Sequence, residues 1–165
     1  MKLTGIFLII LSGVLLIFKI YYSHVKRISF LKRLISDSEI LKNEILFMKT
    51  PVYDAVANLK SNGACDKFYE EILNSLNGNF SVKDSFSNGF KAVSDILGEK
   101  SESVFTDFGN LLGATDSDGQ KCAFSSFICG LEKALEEAET EKKEKLKPRC
   151  AAISFIFTAI ILFVI

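Results

Sequence analysis

The sequence predicts an all-α protein, an antiparallel helical bundle of about six helices flanked by two transmembrane helices. Three observations carry that expectation. Apolar runs stand at both ends of the chain, over residues 3–22 and 151–165. Each run has its basic residues on the side facing the middle of the chain, with only Lys2 and the amino terminus outside. Lys19, Lys26, Arg27, Lys32 and Arg33 mark the first, and Lys142, Lys143, Lys145, Lys147 and Arg149 precede the second. The residues between repeat apolar side chains at helical spacing, with no strand-like alternation. By hydropathy the chain divides into an N-terminal transmembrane helix over residues 1–22, a middle bundle over 23–147 and a C-terminal transmembrane helix over 148–165.

Crossing a bilayer takes about 20 residues of helix, and residues 3–22 supply them. Lys19 can snorkel, and Tyr21-Tyr22 suits the membrane interface. A cleaved signal peptide is the rival reading, but Lys19-Ile20-Tyr21-Tyr22-Ser23 offers no small-x-small cleavage site. The second run rises only about 22 Å as a helix. It crosses if Lys147 and Arg149 snorkel or the bilayer thins. A tail helix packed on the bundle is its rival, yet the run is apolar on every face. Because basic flanks stay cytoplasmic, both runs point to one topology: a multi-pass protein of the cell membrane with its middle domain in the cytoplasm and both termini outside.

The elements follow in order. No Gly or Pro interrupts residues 14–49, so the first helix continues out of the membrane with Leu31, Leu34, Ile35, Leu41, Ile45 and Met48 on one stripe. Thr50-Pro51 ends it, since the residue before proline avoids helix. Thr50 is expected to cap the next helix, which carries Val52, Val56 and Leu59 and stops near Asn62-Gly63. Phe68, Tyr69, Ile72, Leu73 and Leu76 mark a third helix, closed by Asn77-Gly78-Asn79. Ser81 and Asp84 form a capping box before Phe86, Phe90, Val93, Ile96 and Leu97. Val104, Phe105, Phe108, Leu111 and Leu112 follow. A last helix starts near Thr115 with the stripe Phe124, Phe127, Ile128, Leu131, Leu135 and Ala138. Its outer face from Glu132 to Lys147 mixes Glu and Lys.

Composition limits the chemistry. Lys plus Arg and Asp plus Glu number 20 each, so no basic balance points to nucleic acid. Cys65, Cys122, Cys129 and Cys150 form no C-x-x-C pair, and His24 is the single histidine. No zinc site follows from that spacing, and all four thiols read as buried hydrophobes in a reducing compartment. Phosphate-binding glycine loops, nucleophile elbows and histidine metal motifs do not occur in the sequence. No carboxylate reads as lying in an apolar stripe. The expectation is a non-enzyme without cofactor, metal or catalytic residues.

Two stretches stand apart. Leu41 to Leu59 reads LKNEILFMKTPVYDAVANL, and Phe108 to Gln120 reads FGNLLGATDSDGQ. With the two terminal runs, they resemble the stage III sporulation protein AB family, with its Glu…Thr-Pro-Leu…Ala and Phe-Gly…Leu-Gly…Ser-Asp…Gln patterns. Val52, Asp54 and Thr115 stand where the family usually has Leu, Glu and Ser. Pro148, Arg149 and Cys150 lie where it tends to be helical and glycine-containing. The resemblance singles out Glu44, Thr50, Pro51, Gly109, Leu112, Gly113, Asp116 and Gln120. Each has an architectural reading beside one of partner contact. Thr50 and Pro51 serve a helix stop and start. Gly109 and Gly113 permit close helix approach, with Gly113 alternatively a helix stop. Asp116 sits at a helix's positive end, and Gln120 bonds a neighbouring loop.

Members of that family look like the cytoplasmic helical domain of the F protein of type II secretion and type IV pilus machines. The resemblance implies a non-enzymatic platform in the mother-cell membrane around the forespore. Its partners would be other stage III sporulation membrane proteins, a secretion-type ATPase and the lipid bilayer, with no nucleic acid. The alternative is a two-span sensor or regulatory subunit that signals through its cytoplasmic bundle. A holin-like membrane disruptor fits the large patterned middle poorly.

Overall fold

The computed structural model describes residues 2–60, 63–98, 101–112 and 117–164. Side chains are described for these except at 2–10, 145–147, 149–150, 157 and 161–164. Among the described residues there are six α-helices: α1 Lys2–Leu46, α2 Val52–Leu59, α3 Asp66–Asn77, α4 Val82–Leu97, α5 Glu102–Leu112 and α6 Ser117–Val164. No strand occurs among the described residues. The chain forms two compact units, Arg27–Leu135 and a helical pair of Met1–Lys26 with Glu136–Ile165.

The unit Arg27–Leu135 is built around the phenylalanines that the helical spacing picks out. Phe68, Phe86, Phe90, Phe105, Phe108, Phe124 and Phe127 are all buried. Their rings form one chain of contacts. Phe68 meets Phe105 edge-on at 5.6 Å, Phe105 meets Phe127 at 5.2 Å, and Phe108 stacks on Phe127 at 4.1 Å between centroids. Edge-to-face and offset geometries add to area burial, because ring edges carry the positive end of the aromatic quadrupole. α1 closes this core with Leu31, Leu34, Leu41 and Ile45 buried, and with Phe30.

Local chemistry sets the ends of the short helices. Ser81 caps α4, its hydroxyl accepting from Asp84 N–H at 3.1 Å. The reciprocal arm differs from the usual box. The Asp84 carboxylate accepts from the Ser81 hydroxyl at 2.7 Å. Gly98 ends α4 with φ 79°, a left-handed conformation that costs glycine little. α2 stops at Leu59, short of the expected Asn62-Gly63; Asn62 lies outside the described residues.

Three details of the expected core are corrected. Met48 and Leu111 lie on the predicted stripes but are exposed, because the chain leaves the helical path after Leu46 and α5 ends at Leu112. Cys122 and Cys129 are also exposed, and only Cys65 among the described thiols is buried. Asp37 and Ser38 are buried although the sequence places no carboxylate in an apolar stripe.

In the helical pair, Lys142 Nζ lies 5.4 Å over the Tyr21 ring. Gly13 is buried, with Ile17, Ile20 and His24 half-buried at helical spacing from it. α6 runs unbroken through Pro148, where a helix start is expected. Proline has no N–H, so the Glu144 carbonyl receives no helical bond from position 148. Among the described residues no helix is long and apolar enough to cross a membrane. The side chains of residues 3–10 and 161–165, which belong to the two apolar runs, lie outside the described set.

Candidate functional site

The family-motif residues fall at two turns. At the α1–α2 corner, Glu44 and Thr50 meet. The Thr50 hydroxyl donates to Glu44 Oε2 at 2.8 Å, and Thr50 N–H donates to the Glu44 carbonyl at 3.0 Å. Lys49 between them takes φ 58°, a left-handed conformation uncommon for a residue with a Cβ. The expected cap is therefore corrected. Thr50 does not cap α2, because its hydroxyl is already held by Glu44. Pro51 occupies the N-cap without a side-chain cap bond, and its carbonyl accepts from Ala55 N–H at 2.9 Å. The six-residue separation of Glu and Thr makes this a latch across the corner.

The second group lies along α5 and the start of α6. Gly109 is buried against the α4 backbone. A Cβ there would stand 3.0 Å from Lys83 Cα, 3.1 Å from Phe86 Cβ and 3.3 Å from the Lys83 carbonyl. Glycine is what lets α5 approach α4 so closely. Leu112 is buried, and its carbonyl accepts from Gln120 Nε2 at 3.3 Å, so Gln120 joins the last turn of α5 to α6. Gly113 and Asp116, with Thr115, lie outside the described residues. The structure brings together Glu44 with Thr50 and Leu112 with Gln120.

The sequence reading missed a third cluster, centred on Asp37. This carboxylate is 1% exposed and lies on the buried stripe of α1 between Leu34 and Leu41. Its Oδ2 accepts from Arg33 Nε at 3.0 Å and from the Tyr69 hydroxyl at 2.9 Å, and Oδ1 lies 2.9 Å from the same Arg33 nitrogen. A buried charge is tolerated when it is paired and hydrogen-bonded. Asp37 is paired with Arg33 and hydrogen-bonded through Oδ2, with α3 supplying the hydroxyl, while its buried Oδ1 accepts no hydrogen bond from the described residues. Cys65 Sγ adds a second link from the start of α3 to α1 through the Phe30 carbonyl at 3.7 Å. The signal in the sequence is a charged residue at a stripe position with an arginine one turn before it.

Electrostatics follow from this burial. Desolvation pushes the Cys65 thiol up to about 12, with Asp37 adding to it. Burial, then the Asp37 charge, holds the Tyr69 phenol protonated well above its usual range. The hydrogen bond to Asp37 raises Arg33 further. These directions describe inert groups: a thiol held protonated is a poor nucleophile. A cavity of about 10 Å³ lies against Leu34, Asp37, Leu41, Leu59 and Tyr69, room for roughly one water molecule and no organic ligand. Among the described residues no group of three or more His, Cys, Asp or Glu could hold a metal ion. The arrangement fixes helices against one another and presents surface. Phe47, Met48, Tyr53 and Phe80, on and beside the α1–α2 and α3–α4 turns, are among its exposed large apolar side chains, with Ile40 and Leu111 elsewhere.

Comparison with known proteins bears on the reading directly. A solved structure described as Stage III sporulation protein AB (SpoIIIAB) matches with a TM-score of 0.63 and 22% identity, over 72% of this chain and 98% of that chain. At that identity it shows the fold. A search of curated proteins finds no match. The sequence model of the family described as Stage III sporulation protein AB matches residues 2–163. With nearly the whole chain matched, this protein belongs to the stage III sporulation protein AB family.

Proposed function

We propose that this sporulation protein is a membrane-anchored assembly platform that links a cytoplasmic secretion-type ATPase to membrane components of a channel apparatus. The observation that carries this reading is the continuity of its two long helices. α1 runs unbroken from Lys2 to Leu46 and α6 from Ser117 to Val164. Each joins an apolar terminal run to the buried stripe of the phenylalanine core. A helix that is apolar at one end and core-forming at the other suits an anchor that fixes a bundle at a membrane surface. Basic residues flanking both runs support a cytoplasmic bundle.

The platform would act through surface, with no covalent chemistry. Asp37, Cys65 and Tyr69 are committed to packing, and the motif residues to turns and close helix contact. Docking then falls to exposed side chains, and the Glu/Lys face of α6 around Glu132, Lys133, Glu136 and Glu137 is exposed. Topology tests the anchor. Engineered single cysteines in the bundle should resist an impermeant thiol reagent in intact cells, and those near the termini should react. Labelling of bundle sites in intact cells would overturn the proposed orientation.

A further inference from the structure

Asp37 carries one unfilled oxygen. Its Oδ2 accepts from Arg33 Nε at 3.0 Å and from the Tyr69 hydroxyl at 2.9 Å. Oδ1 lies 2.9 Å from the same Arg33 nitrogen. That nitrogen carries a single hydrogen, and Oδ2 takes it. The negative charge is thus balanced by Arg33, while Oδ1 accepts no hydrogen bond from the described residues. The residue is buried, so bulk water does not make up the loss. An ionised carboxylate oxygen has two lone pairs to fill. Leaving them bare away from water costs the full desolvation penalty of a charged group. Folded proteins meet such groups with a protein donor or an ordered water.

The cavity of about 10 Å³ bordered by Asp37 is also bordered by Ser38 and Tyr69. Its size is close to that of one water molecule, and a water there needs two or more polar partners. The three polar side chains define what it must be. The Ser38 hydroxyl donates its hydrogen to the Leu34 carbonyl at 2.6 Å. The Tyr69 hydroxyl donates its hydrogen to Asp37. Both hydroxyl oxygens are therefore left as acceptors, and Asp37 Oδ1 is an acceptor too. A ligand for this site is small and donates at least two hydrogens. It is neutral, because Arg33 already balances the carboxylate. We propose that one buried water molecule occupies this cavity, donating one hydrogen to Asp37 Oδ1 and the other to the hydroxyl oxygen of Ser38 or Tyr69. Leu34, Leu41 and Leu59 form apolar walls beside it, so the carboxylate is what holds it. The water completes the shell of a charge set on the core stripe of α1, where the Tyr69 bond alone leaves one oxygen bare.

High-resolution diffraction from the full chain tests the site directly. A single water peak should stand about 2.8 Å from Asp37 Oδ1, with a second contact to Ser38 Oγ or Tyr69 Oη. An empty cavity, or Oδ1 bonded to a protein donor instead, would overturn the proposal. Ser38→Thr gives the counterpart in solution. Threonine in a helix can keep the hydroxyl bond to the carbonyl one turn back, and its added methyl takes the room of the water. Magnetic relaxation dispersion of water oxygen in the detergent-solubilised chain counts long-lived internal waters. The wild type should hold one more than Ser38→Thr, and the variant should unfold at lower temperature because Oδ1 has lost its donor. Simple crowding by the methyl would also lower the melting temperature, but it would leave the water count unchanged. Equal counts in the two chains would therefore overturn the proposal, as would a raised melting temperature, which is what filling an empty void gives. Circular dichroism checks that the variant keeps its helices; if it does not fold, the wild-type diffraction decides alone.

Discussion

Asp37 and Tyr69 offer the sharpest test of how α1 is held to the bundle. The carboxylate is 1% exposed and the tyrosine 3%, and they share a 2.9 Å hydrogen bond between helices. Tyr69→Phe removes one donor from a buried charge that keeps Arg33 as a partner. A hydrogen bond to a charged group is worth about 1.5–3 kcal/mol, so this substitution should cost an amount in that range. Asp37→Ala removes the acceptor of the Tyr69 hydroxyl at a buried position and enlarges the small cavity beside it. Arg33, with its side chain 47% exposed, can turn back to water. The unsatisfied hydroxyl alone costs roughly 1–3 kcal/mol. The two losses overlap, because each single variant forfeits the same bond. The double variant should therefore cost less than the sum of the two, by about 1–2 kcal/mol, within the range seen for contacting residues. Chemical unfolding of the detergent-solubilised chain, followed by circular dichroism, gives all four stabilities. Additivity to within about 0.5 kcal/mol would refute the claim that this carboxylate and hydroxyl hold α1 and α3 together.

Other expectations follow from the same contacts. Gly109→Ala gains up to about 1 kcal/mol of helix propensity but pushes a methyl against Lys83 backbone atoms. Overpacking of about 1–3 kcal/mol should win, and a raised melting temperature would refute the close approach. Thr50→Val should cost about 1 kcal/mol by breaking the latch to Glu44, while Glu44→Gln keeps an acceptor and should cost less; the order of the two melting temperatures checks it. Because the folded state holds the Cys65 proton up to about 12 against an ordinary 9.0, its contribution is intact below pH 9. It is lost as pH rises from 9 toward 12, at up to about 1.4 kcal/mol per pH unit. Cys65→Ala should flatten that part of the stability profile. Glu132→Lys with Glu136→Lys, both exposed, should alter stability by no more than about 0.5 kcal/mol while weakening ATPase binding in a pull-down.

Most of the bundle was legible because its helices follow one rule, apolar side chains at 3.6-residue spacing ended by Gly, Asn or Pro. Phe68, Phe86, Phe90, Phe105, Phe108, Phe124 and Phe127 are where that rule puts them. The misses share a cause. Asp37 sits at a stripe position, but spacing alone shows neither burial nor the Tyr69 hydroxyl that arrives from 32 residues away. Thr50 carries the local chemistry of a cap, and the Glu44 carboxylate six residues back, across the corner, takes its hydroxyl. Cys122 and Cys129 share a face of α6, as their spacing requires, and a free thiol's preference for burial pointed them the wrong way. Pro148 carries a helix-breaking signal, yet α6 gives up one carbonyl bond and continues. Among the motif residues the sequence marked Glu44, Thr50, Leu112 and Gln120 singly; which of them meet is a property of the turns.

The platform role is tested most directly by what the full chain holds in sporulating cells. Solubilised from membranes of such cells and captured by an epitope tag, it should bring down a secretion-type ATPase and other stage III sporulation membrane proteins, identified by mass spectrometry. The ATPase should fall away in the Glu132→Lys with Glu136→Lys variant while the membrane partners stay. Recovery of neither partner class with the wild-type chain, under conditions that keep it helical, would contradict the platform and favour a sensor working alone in the membrane.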